Sequence, residues 1–476
     1  MQHKESVVLM TSMTSKTSRT AKTSPLASFR RILCAFAFAG TVLASASAQN
    51  FVDIKPSPQQ VHWQDLEFGV IFHFGTNTFL NREWGDGTAS PSVFNPTHVD
   101  TDQWMAAAKS AGARYAVLVA KHHDGFALWP SRQTDYTVKA SPWLNGKGDL
   151  VRMASDSARK AGLGFGVYLS PWDRHDKRYP DPKAYDKYYL AQLDELAQNY
   201  GPLTEFWIDG AGSAGRTYDF NTIIDELRTY QPNTMVFADV ALYKNADLRW
   251  VGNENGQIPF ENWNVIDRAG YLRWRPVEAD TPLHRGHWFW HPNDESTLRS
   301  VDELMDIYTK TVGRGGELML GLAPDETGRL PEADVNRLRE FGEALHRTYA
   351  HNLASEHGHV EGVQKRAAID NNPDTFWVAA PSHDTLEVTF DKPITFDRAV
   401  TMERLNEGQH VEEYAIQVWK HGAWQTLAHA HAIGHKKIDI FPACTAQRVR
   451  LNLISTAGTA AIREFQLFDG AATNKN

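Results

Sequence analysis

Cysteine is nearly absent. The 476-residue chain has two, Cys34 and Cys444. Cys34 falls in an N-terminal leader, so only Cys444 remains beyond it, which excludes an internal disulfide framework and a thiolate metal cluster. A basic surplus is missing as well. From residue 49 onward the chain carries 43 Lys and Arg against 56 Asp and Glu, a net charge of about −13. An acidic surface of this kind argues against nucleic acid or an anionic membrane as partner. A glycine-rich phosphate loop is also lacking: the segment after the first apolar run beyond the leader, HFGTNTF, has none, which removes the main support for an open, doubly wound nucleotide-binding sheet.

One apolar run is long, ILCAFAFAGTVLA at 32–44, and it is short for a membrane span. Arg30 and Arg31 precede it and SASAQN follows. Residues 1–48 therefore read as a secretory signal with an Ala-x-Ala site and cleavage after Ala48; a retained anchor is the alternative. The leader is long, and a start at Met10 or Met13 would shorten it. Export of a chain without internal disulfides fits a bacterial periplasmic or secreted protein.

What the chain does have is tryptophan, 15 in all. An indole face stacks on sugar C–H groups, although core filling explains most such residues equally well. Between about residues 63 and 347, short apolar runs alternate with helical stretches. The runs are GVIFHFG (69–75), YAVLVAK (115–121), FGVYLS (165–170), EFWIDG (205–210), MVFADV (235–240), LRWVG (248–252), HWFWH (287–291) and ELMLGLA (317–323). Continuous rather than alternating hydrophobicity is expected of parallel strands covered on both faces. Helices are expected over TDQWMAAAKSAG, capped by Thr101, over DLVRMASDSARKAG, capped by Asp149, and over three later stretches. Eight such units predict a (β/α)8, TIM-like barrel over residues 49–350, with too little chain between strands five and six for a full helix. From about residue 352 the runs turn short and β-rich: TLEVTF, YAIQVWK, AWQTLAHA, KKIDIF, RVRLNLI and REFQLF. Residues 351–476 are accordingly expected to form an all-β jelly-roll sandwich.

Barrel active sites lie at the C-terminal strand ends. The residues expected there are His73; His122, His123 and Asp124; Tyr168; Trp207 and Asp209; Glu254; and His287, Trp288, Trp290 and His291. Two carboxyl groups among histidines and tryptophans suit glycoside hydrolysis. A retaining enzyme needs one ionised carboxylate to attack the anomeric carbon and one protonated carboxyl to serve the leaving oxygen, about 5–5.5 Å apart. Asp209, short and on a rigid strand, suits the nucleophile; Glu254, on a glycine-flanked loop with a less polar wall, suits the acid/base. Adjacent His122, His123 and Asp124 should diverge, yet a zinc site gathering His73 and His291 from other strands stays open as a competing reading.

The runs FGVIFHFG, Glu83-Trp84, KHHDGF and FWIDG, with the later HWFWHPND and VGRGGELMLGLAPDETGRLP, resemble the α-L-fucosidases of glycoside hydrolase family 29. The resemblance covers nearly the whole barrel. It implies cleavage of terminal α-L-fucose with retention, without a catalytic cofactor or metal, and it puts Asp209 in the nucleophile's place. It implies that His73, His122, His123, Tyr168 and Trp207 hold the fucose hydroxyls and ring, that Glu83 and Trp84 add a further sugar contact, and that Trp288 and Trp290 face the ring or its methyl group. RWVGNENG resembles the branch acting on α-1,3 and α-1,4 linkages of branched acceptors, which makes Glu254 the acid/base, with Glu261 as the fallback. Phe74 stands where the family commonly has Trp, and Ala323 where it has glycine. An inactive, lectin-like fucose-binding barrel is the alternative. The segment AAIDNNPDTFW and the ending RVRLNL…REFQLF resemble discoidin or coagulation-factor type C modules. That resemblance implies a structural Ca²⁺ near Asp370–Thr375, with Asp370, Asn372 and Asp374 as oxygen donors, a plain turn being the alternative. The substrate implied is a fucosylated oligosaccharide or glycan; the oligomeric state is left open.

Overall fold

The computed structural model describes residues 51–470 except 214, 239–245 and 268–271. The expected signal, residues 1–48, and the last two residues of the fifth expected strand lie outside the described residues. Eight parallel strands form one sheet: β1 (Phe68–Phe72), β2 (Tyr115–Lys121), β3 (Gly164–Leu169), β4 (Glu205–Ile208), β5 (Met235–Ala238), β6 (Arg249–Trp250), β7 (Val277–Pro282) and β8 (Glu317–Leu322). Their order is β5-β4-β3-β2-β1-β8-β7-β6. The two ends approach where Leu248 N donates to Val236 O (3.2 Å), which nearly closes the barrel. The strands are buried on both faces because helices cover the outside and side chains fill the inside.

Five helices follow strands: α1 (Thr101–Ser110), α2 (Leu150–Ala161), α3 (Pro182–Asn199), α4 (Phe220–Tyr230) and α5 (Val301–Thr311); α6 (Glu332–Tyr349) ends the barrel. Asp100, Asp149, Asp181, Asp219 and Ser300 cap the first five by accepting otherwise unpaired N–H groups. The cap of α1 is thus Asp100, one residue before the expected Thr101. At the opposite end from the site, the short helix Pro58–Gln64 inserts Trp63, whose Nε1 donates to Glu205 Oε2 (3.1 Å).

The seventh strand differs from expectation. HWFWH is not in the sheet; β7 is VEADTP, and the aromatic run lies in the loop after it. The barrel interior at β7 is lined by the carboxyl groups of Glu278 and Asp280, so this strand lacks the apolar signature of the others. An antiparallel hairpin, Val265–Asp267 with Leu272–Trp274, precedes it.

Residues 358–470 form an antiparallel all-β unit. Its main strands are β9 (Asp384–Glu403), β10 (Val411–Lys420), β11 (Ala423–Ala430), β12 (Lys437–Thr456) and β13 (Ala461–Phe468). KKIDIF and RVRLNLI belong to the single strand β12, and β9 runs well past TLEVTF. Pro393 and Pro442 have no N–H to give a ladder, and they fall where its register shifts, between Thr389 and Ile394 and between Phe396 and Arg398 of β9. Trp377, Leu386, Phe396, Tyr414, Val449 and Phe465 belong to its core. The unit packs directly on the barrel. Ile438 N donates to Gly313 O (2.8 Å), Arg463 pairs with Asp65 (2.7 Å), and Glu67 accepts from Lys436 (2.6 Å) and lies 3.1 Å from His435. Burial works to raise the Glu67 carboxyl, but Lys436 and His435 hold it well below the ordinary range.

Candidate active site

A cavity of about 220 Å³ opens at the C-terminal ends of the strands. His73, Glu83, Trp84, His122, His123, Tyr168, Trp207, Asp209, Glu254 and Trp288 all line it; Trp290 does not. Phe289, between Trp288 and Trp290, is buried behind the lining and packs edge-on against His73 (5.4 Å between ring centres) and His122 (5.1 Å). Ile71, Ala211, Phe237, Trp250 and Asp280 complete the wall. No Lys or Arg is among these lining residues, so histidine and neutral donors set the local electrostatics.

Asp209 follows the last residue of β4, and three donors converge on it. Tyr168 Oη donates to Oδ2 (3.0 Å), Ala211 N donates to Oδ1 (2.8 Å), and His123 Nε2 lies 3.5 Å from Oδ2. Ser170 Oγ contacts the far nitrogen of His123 (2.7 Å) and donates to Trp172 O (2.7 Å), which fixes the plane of the ring. Burial pushes the Asp209 carboxyl up, but His123, Ala211 N–H and Tyr168 more than offset this, and the group sits below its ordinary value. The opening of the sheet thus holds a ready carboxylate. Burial pushes the His73 imidazole down to about 3 and His122 well below its usual range, so both stand as neutral rings.

His122 and His123 do not diverge. Their ring centres are 4.1 Å apart, and both face the cavity. Strand β2 stops at Lys121 and the chain turns, with Gly125 N donating to His122 O (3.0 Å), so strand alternation no longer applies. Asp124 alone leaves, turning to Thr76. Among the described residues no cluster of three or more His, Cys, Asp or Glu has a metal-binding arrangement.

Glu83 lines the cavity, but its carboxylate serves the neighbouring loop. Oε2 accepts from Trp288 N (2.9 Å), and Oε1 accepts from Phe289 N (3.3 Å) and lies 2.6 Å from His291 Nε2. The Trp288 ring lies over β8 at Gly321, where a Cβ would come within 2.6 Å of the indole. Trp84 stands half exposed at the rim, edge-on to His123 and Trp172 (5.4 Å each). Glu254 is exposed at the same rim. Its side-chain partner is Trp288, whose Nε1 donates to Oε2 (3.2 Å); the less polar wall expected around it is this one indole. Glu261, the fallback acid, is absent from the lining.

Sequence reasoning missed Phe237, Trp250 and Asp280. Trp250 was within reach, since it is the second residue of RWVGNENG. Asp280 was hidden by the misplacement of the seventh strand.

In the β unit, the Thr375 hydroxyl lies within hydrogen-bond reach of Ala367 O (3.2 Å), Asn372 O (2.8 Å) and both carboxylate oxygens of Asp370 (2.9 Å each). One hydrogen cannot serve four acceptors. Nearby, buried Glu464 Oε1 has no partner, and burial together with Asp370 pushes its carboxyl up to about 7. This oxygen-only set fits a hard cation such as Ca²⁺. The Asp374 side chain is exposed beside this set.

The α-L-fucosidase family model matches residues 88–349, and that of the F5/8 type C domain matches residues 352–465. The chain is 34% identical to α-L-fucosidase 1 of Arabidopsis thaliana, covering 80% of this chain and 81% of that protein. Among solved structures it is similar to a glycoside hydrolase 29 family member from an unknown rumen bacterium, with a TM-score of 0.77, 33% identity, and 88% and 78% of the two chains covered. It is also similar to a Ruminococcus gnavus GH29 fucosidase in complex with fucose, with a TM-score of 0.80, 27% identity, and coverage of 88% and 95%.

Proposed function

The chain belongs to the α-L-fucosidase family of glycoside hydrolases, and on that premise we propose that it is a retaining, exo-acting enzyme that removes terminal α-1,3- or α-1,4-linked L-fucose from branched glycans. The observation that carries the reading is one small cavity holding a carboxylate fixed by several donors, Asp209, and a second carboxyl reachable from outside, Glu254. Its volume suits one sugar ring rather than an oligosaccharide, which favours exo action.

In the first step Asp209 attacks the anomeric carbon and forms an ester to the sugar. The bond to the leaving oxygen breaks, and Glu254 supplies that oxygen with a proton. In the second step Glu254, now ionised, takes a proton from water as the water attacks the same carbon. The ester breaks and Asp209 is released as a carboxylate. Neutral His73 and His122 can each donate to and accept from sugar hydroxyls. Trp207, Phe237 and Trp288 supply apolar wall for the ring and its methyl group, a single methyl-sized difference being worth about 1–3 kcal/mol. The exposed position of Glu254 leaves room for the rest of the glycan to cover it. The presence of Asp209 and Glu254 in one cavity counts against a lectin-like role.

In the β unit, Asp370, Glu464, Thr375 and the carbonyls of Ala367 and Asn372 are the groups that would hold Ca²⁺, which would tie the loop to β13. The leader at 1–48 supports export to the periplasm or beyond the cell. The test of the central reading is fucose release from α-1,2-, α-1,3-, α-1,4- and α-1,6-fucosyl oligosaccharides. Release from the α-1,3 and α-1,4 members supports it; release confined to the α-1,2 or α-1,6 members overturns the linkage preference.

A further inference from the structure

Besides Glu83, whose carboxylate serves the neighbouring loop, the cavity holds one more carboxyl group that the two-step reaction does not use, Asp280. It is 4% exposed and lies on β7, two residues after Glu278, so both side chains point into the barrel. Each holds an indole of the cavity wall: Trp207 Nε1 donates to Glu278 Oε1 (2.7 Å), and Trp250 Nε1 donates to Asp280 Oδ1 (2.7 Å). The main chain of the same two residues holds the segment carrying Glu254 on both sides. Val251 N donates to Glu278 O (3.0 Å), and Gly256 N donates to Asp280 O (3.1 Å).

We propose that Asp280 is a positioning residue for the proton donor: by gripping Trp250 and the backbone at Gly256 it fixes the segment from which Glu254 reaches the leaving oxygen. This rests on the reading of Glu254 as acid/base. The titratable groups acting on Asp280 are Glu254 and Glu278; no cation is among them. An ionised Asp280 would be buried beside two carboxyl groups with an indole N–H and its own backbone N–H for support and no cation, a costly arrangement. Burial first, and then these neighbours, hold its carboxyl well above the ordinary range, so it works as an uncharged acid. Asparagine reproduces that shape and still accepts from Trp250. Leucine does not, and leaves the indole N–H unpaired.

The experiment measures kcat and KM of the full chain on two substrates. One is an α-1,3/1,4-fucosyl trisaccharide, whose leaving oxygen needs the proton; the other is 4-nitrophenyl α-L-fucoside, whose leaving group needs little help. Asp280→Leu should lower kcat on the trisaccharide by at least about tenfold and on the aryl fucoside by clearly less. Trp250→Phe, which keeps a ring but has no N–H, should reproduce this split. Asp280→Asn should recover most of what leucine loses and leave the alkaline limb of the pH profile in place. Equal losses on both substrates, no loss with leucine, or an asparagine variant as slow as leucine would each overturn the proposal. Glu254→Ala is measured beside them. If it shows no split, the reading of Glu254 falls; if it splits while Asp280→Leu does not, the present inference alone falls.

Discussion

Trp288 joins two loops of the barrel mouth: its indole N–H donates to Glu254 Oε2 (3.2 Å), while its backbone N–H is held by Glu83 (2.9 Å). A carboxylate on the loop after β1 therefore governs the setting of one on the loop after β6. Glu83→Gln has a single carbonyl oxygen for contacts that now use two, and its amide repels a donor at His291. The expected result is a rise in KM and a fall in kcat, each of about tenfold, with His291→Ala showing a weaker effect in the same direction. Steady-state kinetics on a fucosyl trisaccharide checks this; an unchanged Glu83→Gln would mean the loop is held otherwise.

Asp209 must be ionised to attack, so the acid limb of kcat/KM follows its depressed pKa. Activity should persist below the ordinary carboxyl range and fall only as pH drops through that lowered value. Tyr168→Phe removes one donor to the carboxylate. Its pKa then rises, and the acid limb should move to higher pH. A limb that stays in place would show that Asp209 is not the titrating group.

Stability should carry the opposite imprint. Burial pushes Glu403, in the β unit, up to about 7, despite backbone donors at His410 (2.5 Å) and Val411 (3.1 Å). The folded state thus binds this proton more tightly than the unfolded chain. Its contribution is most favourable below about pH 4.5 and is lost as pH rises towards about 7, a difference on the order of 3 kcal/mol. Glu403→Gln should flatten the fall in unfolding temperature between pH 5 and pH 7.5. An equally steep fall in the variant would place the effect elsewhere.

Chelation offers a separate check on the β unit. With Ca²⁺ bound between Asp370 and Glu464, EDTA should lower the unfolding temperature while initial rates of fucose release at 25 °C hold. Glu464→Gln should lower it in the same way and abolish the response to EDTA. An EDTA-insensitive wild type would favour the plain turn.

Much of this was legible in the chain because physical cost leaves marks. Strands β1–β4 and β8 are doubly covered, so FGVIF, YAVLVAK and ELMLGL read as continuous apolar runs. Asp209 stood out as a carboxylate at the end of such a run. What escaped notice was arranged by tertiary partners. Glu278 and Asp280 sit inside the barrel only because Trp207 and Trp250 donate to them, and those partners are distant in sequence. HWFWH resembled a buried strand because it is rich in aromatic side chains, but only Phe289 of the run is buried, packed against His73 and His122 from above rather than in a sheet. Glu83 lines the cavity, and nothing in sequence reveals that Trp288 and Phe289 also present their N–H groups to it.

The most direct measurement is a peptide map after incubation with 2-deoxy-2-fluoro-α-L-fucosyl fluoride, which slows the second step and leaves the sugar on the nucleophile. The peptide containing Asp209 should gain one 2-fluorofucosyl group, in step with loss of activity. A label on any other residue, or inactivation without a label, would contradict the assignment on which the mechanism rests.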